Sequence, residues 1–143
     1  MLGTYLKSYC FSAMKQDLPY PQPLVLVVED DPLVRVFGAD VLEDAGFAVI
    51  EAGDAEEALH ILEARSDVRV VFTDIEMPGS LNGLGLAWRI RELWPEIHVL
   101  ITSGRHVPSL DEMPRVDRFV PKPDAPGTLV RHVAECIGGK VGG

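Results

Sequence analysis

The chain has 143 residues, 47% of them apolar, enough for one domain with a sizeable core and too few for a second folded domain. Its 13 basic residues against 22 acidic ones leave a net charge of -9, which disfavours nonspecific binding to nucleic acid or anionic lipid and favours a basic partner surface or a divalent cation. Cys10 and Cys136 match neither a disulfide framework nor a metal-ligand spacing, and no apolar run approaches the roughly 20 residues needed to span a bilayer. A cytoplasmic protein with neither anchor nor export signal is expected.

Residues 1–23 end in Pro19-Tyr20-Pro21-Gln22-Pro23, a run that precludes helix or central strand and reads as a flexible N-terminal extension. The apolar run Leu24 to Val28 has strand length and stops at Glu29-Asp30-Asp31. Pro32 suits the first turn of a helix, in which Leu33, Val36, Phe37, Val41 and Leu42 recur at helical spacing before Gly46 ends it. A second strand is expected over 47–50, and a second helix from Ala55 to Ala64, capped by Asp54 with Glu57 and facing inward with Ala58, Leu59 and Leu62. The third strand, over 68–73, leads into Asp74, and Pro78-Gly79 break the chain beyond it. Asn82-Gly83 introduce a third helix over 84–93, and 98–102 reads as the fourth strand. The stretch 105–117 carries Pro108 and Pro114, so the fourth helix there is short or irregular. Phe119-Val120 is the core of a short fifth strand, and the last helix begins near Pro126 and runs through Leu129, Val130, Val133 and Ile137. The expected organisation is an extension over 1–23, a domain over 24–137 and a glycine-rich tail over 138–143. Strands alternating with helices imply a parallel sheet covered on both faces, because parallel neighbours need crossover connections.

In such a sheet functional groups gather at the carboxyl ends of the strands. Glu29 and Asp30 follow the first strand, Asp74 ends the third, Thr102 and Ser103 end the fourth, and Lys122 follows the fifth. Carboxylates crowded into one cleft raise one another's pKa unless a cation lies among them, and Mg²⁺ suits a site of few carboxylates completed by water and phosphate oxygen. A lysine and a hydroxyl nearby can each hold oxygens of a transferred phosphoryl group. The chemistry this pattern points to is phosphoryl transfer to Asp74.

Val27-Val28-Glu29-Asp30-Asp31, Thr73-Asp74-Ile75-Glu76-Met77-Pro78 with Gly83 beyond, Thr102-Ser103-Gly104 and Lys122-Pro123 together resemble the receiver domain of two-component response regulators, over about 24–137. The resemblance implies an α/β, doubly wound (βα)5 flavodoxin-like and CheY-like three-layer sandwich with sheet order 2-1-3-4-5. It implies that Asp74 is the phosphoacceptor, served by a sensor histidine kinase or histidine phosphotransferase. Glu29, Asp30 and Asp74 would hold Mg²⁺ (or Mn²⁺) with the main-chain carbonyl of Glu76, and Lys122 would contact the phosphoryl group. Ser103 would be the switch hydroxyl, favoured by the small Gly104 after it, with Thr102 as an inward strand residue that a shift of one position would exchange with it. Phe119, three before Lys122, occupies the place of the aromatic that changes rotamer on activation, although it lacks a hydroxyl.

Asp31 and the Glu76 side chain read as solvated, Trp88 and Trp94 as packing residues, and His60, His98, His106 and His132 as surface or core residues. The 77–83 loop is a residue longer than the family's commonest version, and the proline-bearing fourth crossover departs from its usual dimer face. The expected function is a stand-alone phosphoacceptor that promotes only its own phosphorylation and dephosphorylation and acts on a downstream protein target as a monomer or weak homodimer. The competing readings are an aspartyl-phosphate hydrolase of haloacid dehalogenase type, which Asp74-x-Glu76 resembles only loosely because the second Asp of the Asp-x-Asp pattern is missing, and a receiver-like scaffold that is never phosphorylated.

Overall fold

A strand with no polar face is stable only when both of its sides are covered, and Leu24–Val28 (β1) has all five residues buried. The computed structural model describes residues 22–104, 118–122 and 126–138, and β1 lies inside its sheet. The other strands are Ala48–Ala52 (β2), Val68–Asp74 (β3), His98–Ser103 (β4) and Arg118–Pro121 (β5). All neighbours are parallel and the order is β2-β1-β3-β4-β5, as expected. Pro121, which has no N–H to donate, is tolerated because β5 is an edge strand.

Alternation along the strands divides the core into two layers. Leu24, Leu26 and Val28 of β1 pack with Leu62 of Ala55–Ala64 (α2) and with Leu86 and Ile90 of Gly83–Leu93 (α3). Val25 and Val27 face the other way, onto Leu42 of Pro32–Asp44 (α1) and onto Leu129 and Val133 of Pro126–Cys136 (α4). The result is the doubly wound three-layer sandwich.

Local signals hold at the helix starts. Asp31, expected to be merely solvated, is the N-cap of α1 and accepts from the Leu33 N–H at 3.0 Å, with Pro32 in the first turn. Asp54 accepts from the Glu57 N–H at 2.8 Å while the Glu57 carboxylate accepts from Gly53 at 2.6 Å, a reciprocal box at the start of α2. Gly46 stands just past α1 with φ 104°, a conformation that suits glycine.

Of the five apolar residues at helical spacing in α1, Leu42 is buried and Val41 packs beside it, but the other three are not covered. Leu33, Val36 and Phe37 are 83%, 46% and 57% exposed, and the buried residues are Gly38, Ala39 and Leu42. Successive helical residues are about 100° apart, so Leu33, Val36 and Phe37 lie on the face opposite to that of Gly38, Ala39 and Leu42. The helix buries Gly38, Ala39 and Leu42 and leaves Leu33, Val36 and Phe37 outside. Trp88, expected to pack, is 51% exposed, whereas Trp94 packs against the core. The second strand begins and ends later than expected, at Ala48–Ala52. The expected fourth crossover helix over 105–117, residues 1–21 of the extension, and 139–143 of the tail lie outside the described residues. Among the described residues no helix is long and apolar enough to cross a membrane.

Candidate functional site at the carboxyl edge of the sheet

Register brings the marked residues to one edge. Val28 is level with Thr73, Asp74 with Thr102, and Ser103 with Pro121, so the residues just past β1, β3, β4 and β5 meet there. Asp74 is 4% exposed and Glu29 5%. Beyond Asp74 the backbone is anchored by the Ile75 N–H, which donates to the Thr102 carbonyl at 2.9 Å, and by the Gly83 N–H, which donates to the Ile75 carbonyl at 3.2 Å.

The Lys122 ammonium joins the two buried carboxylates, donating to Asp74 Oδ2 at 2.9 Å and to Glu29 Oε1 at 3.1 Å. Backbone groups take other oxygens: the Asp31 N–H donates to Glu29 Oε2 at 3.0 Å, and the Glu76 N–H to Asp74 Oδ1 at 3.3 Å. Burial pushes the Glu29 carboxyl from 4.5 up to about 7, the Asp74 charge adds to the rise, and the Asp31 N–H and Lys122 pull it back in part. Burial by itself would lower the Lys122 ammonium, but its bonds and attraction to Asp74 and Glu29 outweigh that and hold it above the ordinary lysine value.

Asp30 lies at the exposed mouth, and one carboxylate oxygen from each of Glu29, Asp30 and Asp74 fall within 4.8 Å of one another. One ammonium among three carboxyl groups leaves the cluster short of positive charge, and all its donors are hard oxygens. That donor set fits a divalent Mg²⁺ or Mn²⁺ and would not select a soft metal.

The two hydroxyls have different surroundings. Thr102, 3% exposed, lines a cavity of about 320 Å³ with Phe72, Gly38 and Leu129, and its Oγ1 has no hydrogen-bond partner among the described residues. Glu29, Asp74 and Lys122 border the same cavity. Ser103 instead donates its Oγ to the Glu76 carboxylate, which also accepts from the Gly104 N–H at 3.1 Å. The Glu76 side chain, expected in solvent, is therefore part of the site. Only its position two residues after Asp74 could have hinted at this. Arg35 was also missed: its guanidinium donates to the Glu29 main-chain oxygen at 2.8 Å and pairs with Glu51 at 3.1 Å, steadying the loop that carries Glu29. Phe119 is half-buried against the α2–α3 layer of the core. His60 is exposed, His98 and His132 are half-buried, none joins the carboxylate cluster, and His106 lies outside the described residues.

Residues 25–134 match the family described as the response regulator receiver domain. The chain is 33% identical over 126 residues to the transcriptional regulatory protein AruR of Pseudomonas aeruginosa, covering 80% of this chain and 49% of that protein. It is 32% identical over 117 residues to the sensor kinase CckA of Brucella abortus, covering 79% of this chain and 12% of the kinase. The chain thus spans half or less of these relatives. Among solved structures, the receiver domain of NtrX from Brucella abortus superimposes with a TM-score of 0.72 at 30% identity, covering 80% of this chain and 98% of that one. A CheY-like receiver domain protein from Methanospirillum hungatei gives 0.74 at 24% identity, covering 82% and 94%, a likeness of fold. With its strand order and its carboxyl-edge cluster in the same 25–134 segment, this chain belongs to the response regulator receiver domain family.

Proposed function

We propose that this chain accepts a phosphoryl group on Asp74 from a histidine of a sensor histidine kinase or histidine phosphotransferase. An Asp74 carboxylate oxygen attacks phosphorus, the P–N bond to the donor imidazole breaks, and the freed imidazole keeps the bonding pair and takes a proton from water. The observation that carries this reading is Lys122 bridging Asp74 and Glu29 at 2.9 and 3.1 Å, a cation already placed against the acceptor oxygen. Its flexible ammonium follows the phosphoryl oxygens as they arrive, while the Glu76 N–H steadies Asp74 Oδ1. Mg²⁺ or Mn²⁺ held by Glu29, Asp30, Asp74 and the Glu76 carbonyl would supply charge neutralisation of the transferred oxygens.

The receiver unit is assigned to 24–137, with an extension over 1–23 and a tail over 138–143. It promotes its own phosphorylation and dephosphorylation and signals to a protein target, as a cytoplasmic monomer or weak homodimer. The net charge of -9 supports a protein partner over nucleic acid or membrane. Ser103 is the switch hydroxyl, and Phe119 moves with it; Thr102, in the cavity wall, contributes packing. Incubation with acetyl phosphate and Mg²⁺ should add one phosphoryl mass to the wild type and none to Asp74→Asn. An equal yield from the variant would remove Asp74 from the reaction.

A further inference from the structure

The contact between Glu76 and Ser103 joins two segments that the strands place side by side. Asp74 is level with Thr102 in the sheet, so the residues just past each face one another across the strand ends. The Glu76 N–H donates to Asp74 Oδ1 at 3.3 Å, tying Glu76 to the acceptor residue, while its carboxylate accepts from Ser103 Oγ and from the Gly104 N–H at 3.1 Å. One anionic group thus takes two adjacent donors beside Asp74. A phosphoryl group on Asp74 would need the same kind of partners, being an anion with oxygen acceptors. Ser103 has a single hydroxyl proton, so a bond to Glu76 and a bond to a phosphoryl oxygen exclude one another. The two anions also repel.

We propose that the Glu76 carboxylate is a built-in competitor of the phosphoryl group: it holds the Ser103 hydroxyl and the Gly104 N–H in the unphosphorylated chain and must release them before Ser103 can bind phosphate. Glu76 is a positioning residue that acts through Ser103, and the proposal rests on Asp74 as phosphoacceptor. Its consequence is that the bond Glu76 loses is subtracted from the gain that drives the phosphorylated conformation. The chain then favours its unphosphorylated state more than one with a neutral residue at this position.

The test has a part that needs no phosphodonor. In the chain free of metal, the Gly104 amide proton should shift upfield in Glu76→Ala, with a smaller shift in Glu76→Gln, because an anionic acceptor is lost. The second part is titration with beryllofluoride and Mg²⁺ of wild type, Glu76→Ala, Ser103→Ala and the double variant. Glu76→Ala should bind roughly tenfold tighter than wild type, and the same change in the Ser103→Ala background should yield under about threefold. Equal gains in both backgrounds would reduce Glu76 to a repelling charge and overturn the competition through Ser103, as would unchanged or weaker binding by Glu76→Ala. An unmoved Gly104 resonance alongside normal beryllofluoride binding overturns the contact and the competition with it, and leaves the phosphoacceptor reading standing. A wild type that neither binds beryllofluoride nor gains phosphoryl mass overturns the phosphoacceptor reading and the competition with it, even where the Gly104 shift follows Glu76.

Discussion

A Cβ added to Gly83 would overlap the main-chain oxygen of Asp74 and stand 2.7 Å from its carbonyl carbon and 2.9 Å from Ile75 Cα. The first turn of α3 is thus seated directly on the backbone that carries the acceptor carboxylate. Backbone on both sides leaves nothing to rotate away. Gly83→Ala should therefore destabilise the fold by about 2–3 kcal/mol, as overpacking does. Gly85→Ala should be milder, because the overlap there is with the flexible end of Leu81 and alanine gains about 1 kcal/mol of helix propensity. Urea unfolding of the two variants measures both, and a Gly85→Ala loss as large as that of Gly83→Ala would contradict the distinction.

Replacing Lys122 with Met keeps the stem and removes the cation between two buried carboxylates. The metal-free variant should lose about 1–3 kcal/mol, discounted from a fully buried pair because the Lys122 side chain is 30% exposed. Added Mg²⁺ should restore much of the loss and raise the melting temperature more in the variant than in the wild type. Thermal unfolding with chelator and with excess Mg²⁺ checks the order.

Glu29 makes stability depend on pH with a definite sign. Its folded carboxyl titrates at about 7 against an ordinary 4.5, so the fold takes up a proton between these values. The contribution is fully present below about pH 4.5 and is lost as pH rises to about 7 in the metal-free chain. Glu29→Gln, which mimics the neutral acid, should therefore be the more stable protein at pH 8 by roughly 1–3 kcal/mol after screening is allowed for, with the gap closing towards pH 4.5. Denaturant midpoints of both proteins across this range, in chelator, show it directly. A gap that widens on acidification would reverse the assignment.

Gly38 lies buried in the middle of α1, and the nearest atom to a Cβ there is Val27 Cγ1 at 4.0 Å. The methyl would enter the cavity beside Val41 and Leu129 without displacing anything. Gly38→Ala should raise stability by about 1 kcal/mol, from helix propensity and unfolded-state entropy. A lower denaturation midpoint would show that the cavity is needed open.

The architecture was legible in the sequence because its signals are local. An apolar run such as Leu24–Val28 with no polar face is stable only as a covered strand, Asp54 with Glu57 caps its helix within four residues, and Pro78-Gly79 stop the chain after β3. Strand ends read this way also place Asp74, Glu29 and Lys122 at one edge, because a parallel sheet brings its carboxyl ends together whatever the loops contain. Which side chain meets which was decided only in three dimensions. Lys122 meets Glu29 across 93 residues, and Glu76 meets Ser103 across 27, through strand register that no short window of sequence contains. The face of α1 was decided there too. Helical spacing puts Leu33, Val36 and Phe37 on one face and Gly38, Ala39 and Leu42 on the opposite one, and only the tertiary packing shows that the second is covered. A helix lying on a sheet buries one face only, so once Leu42 packs with Val25 and Val27 the larger apolar side chains opposite it are left outside.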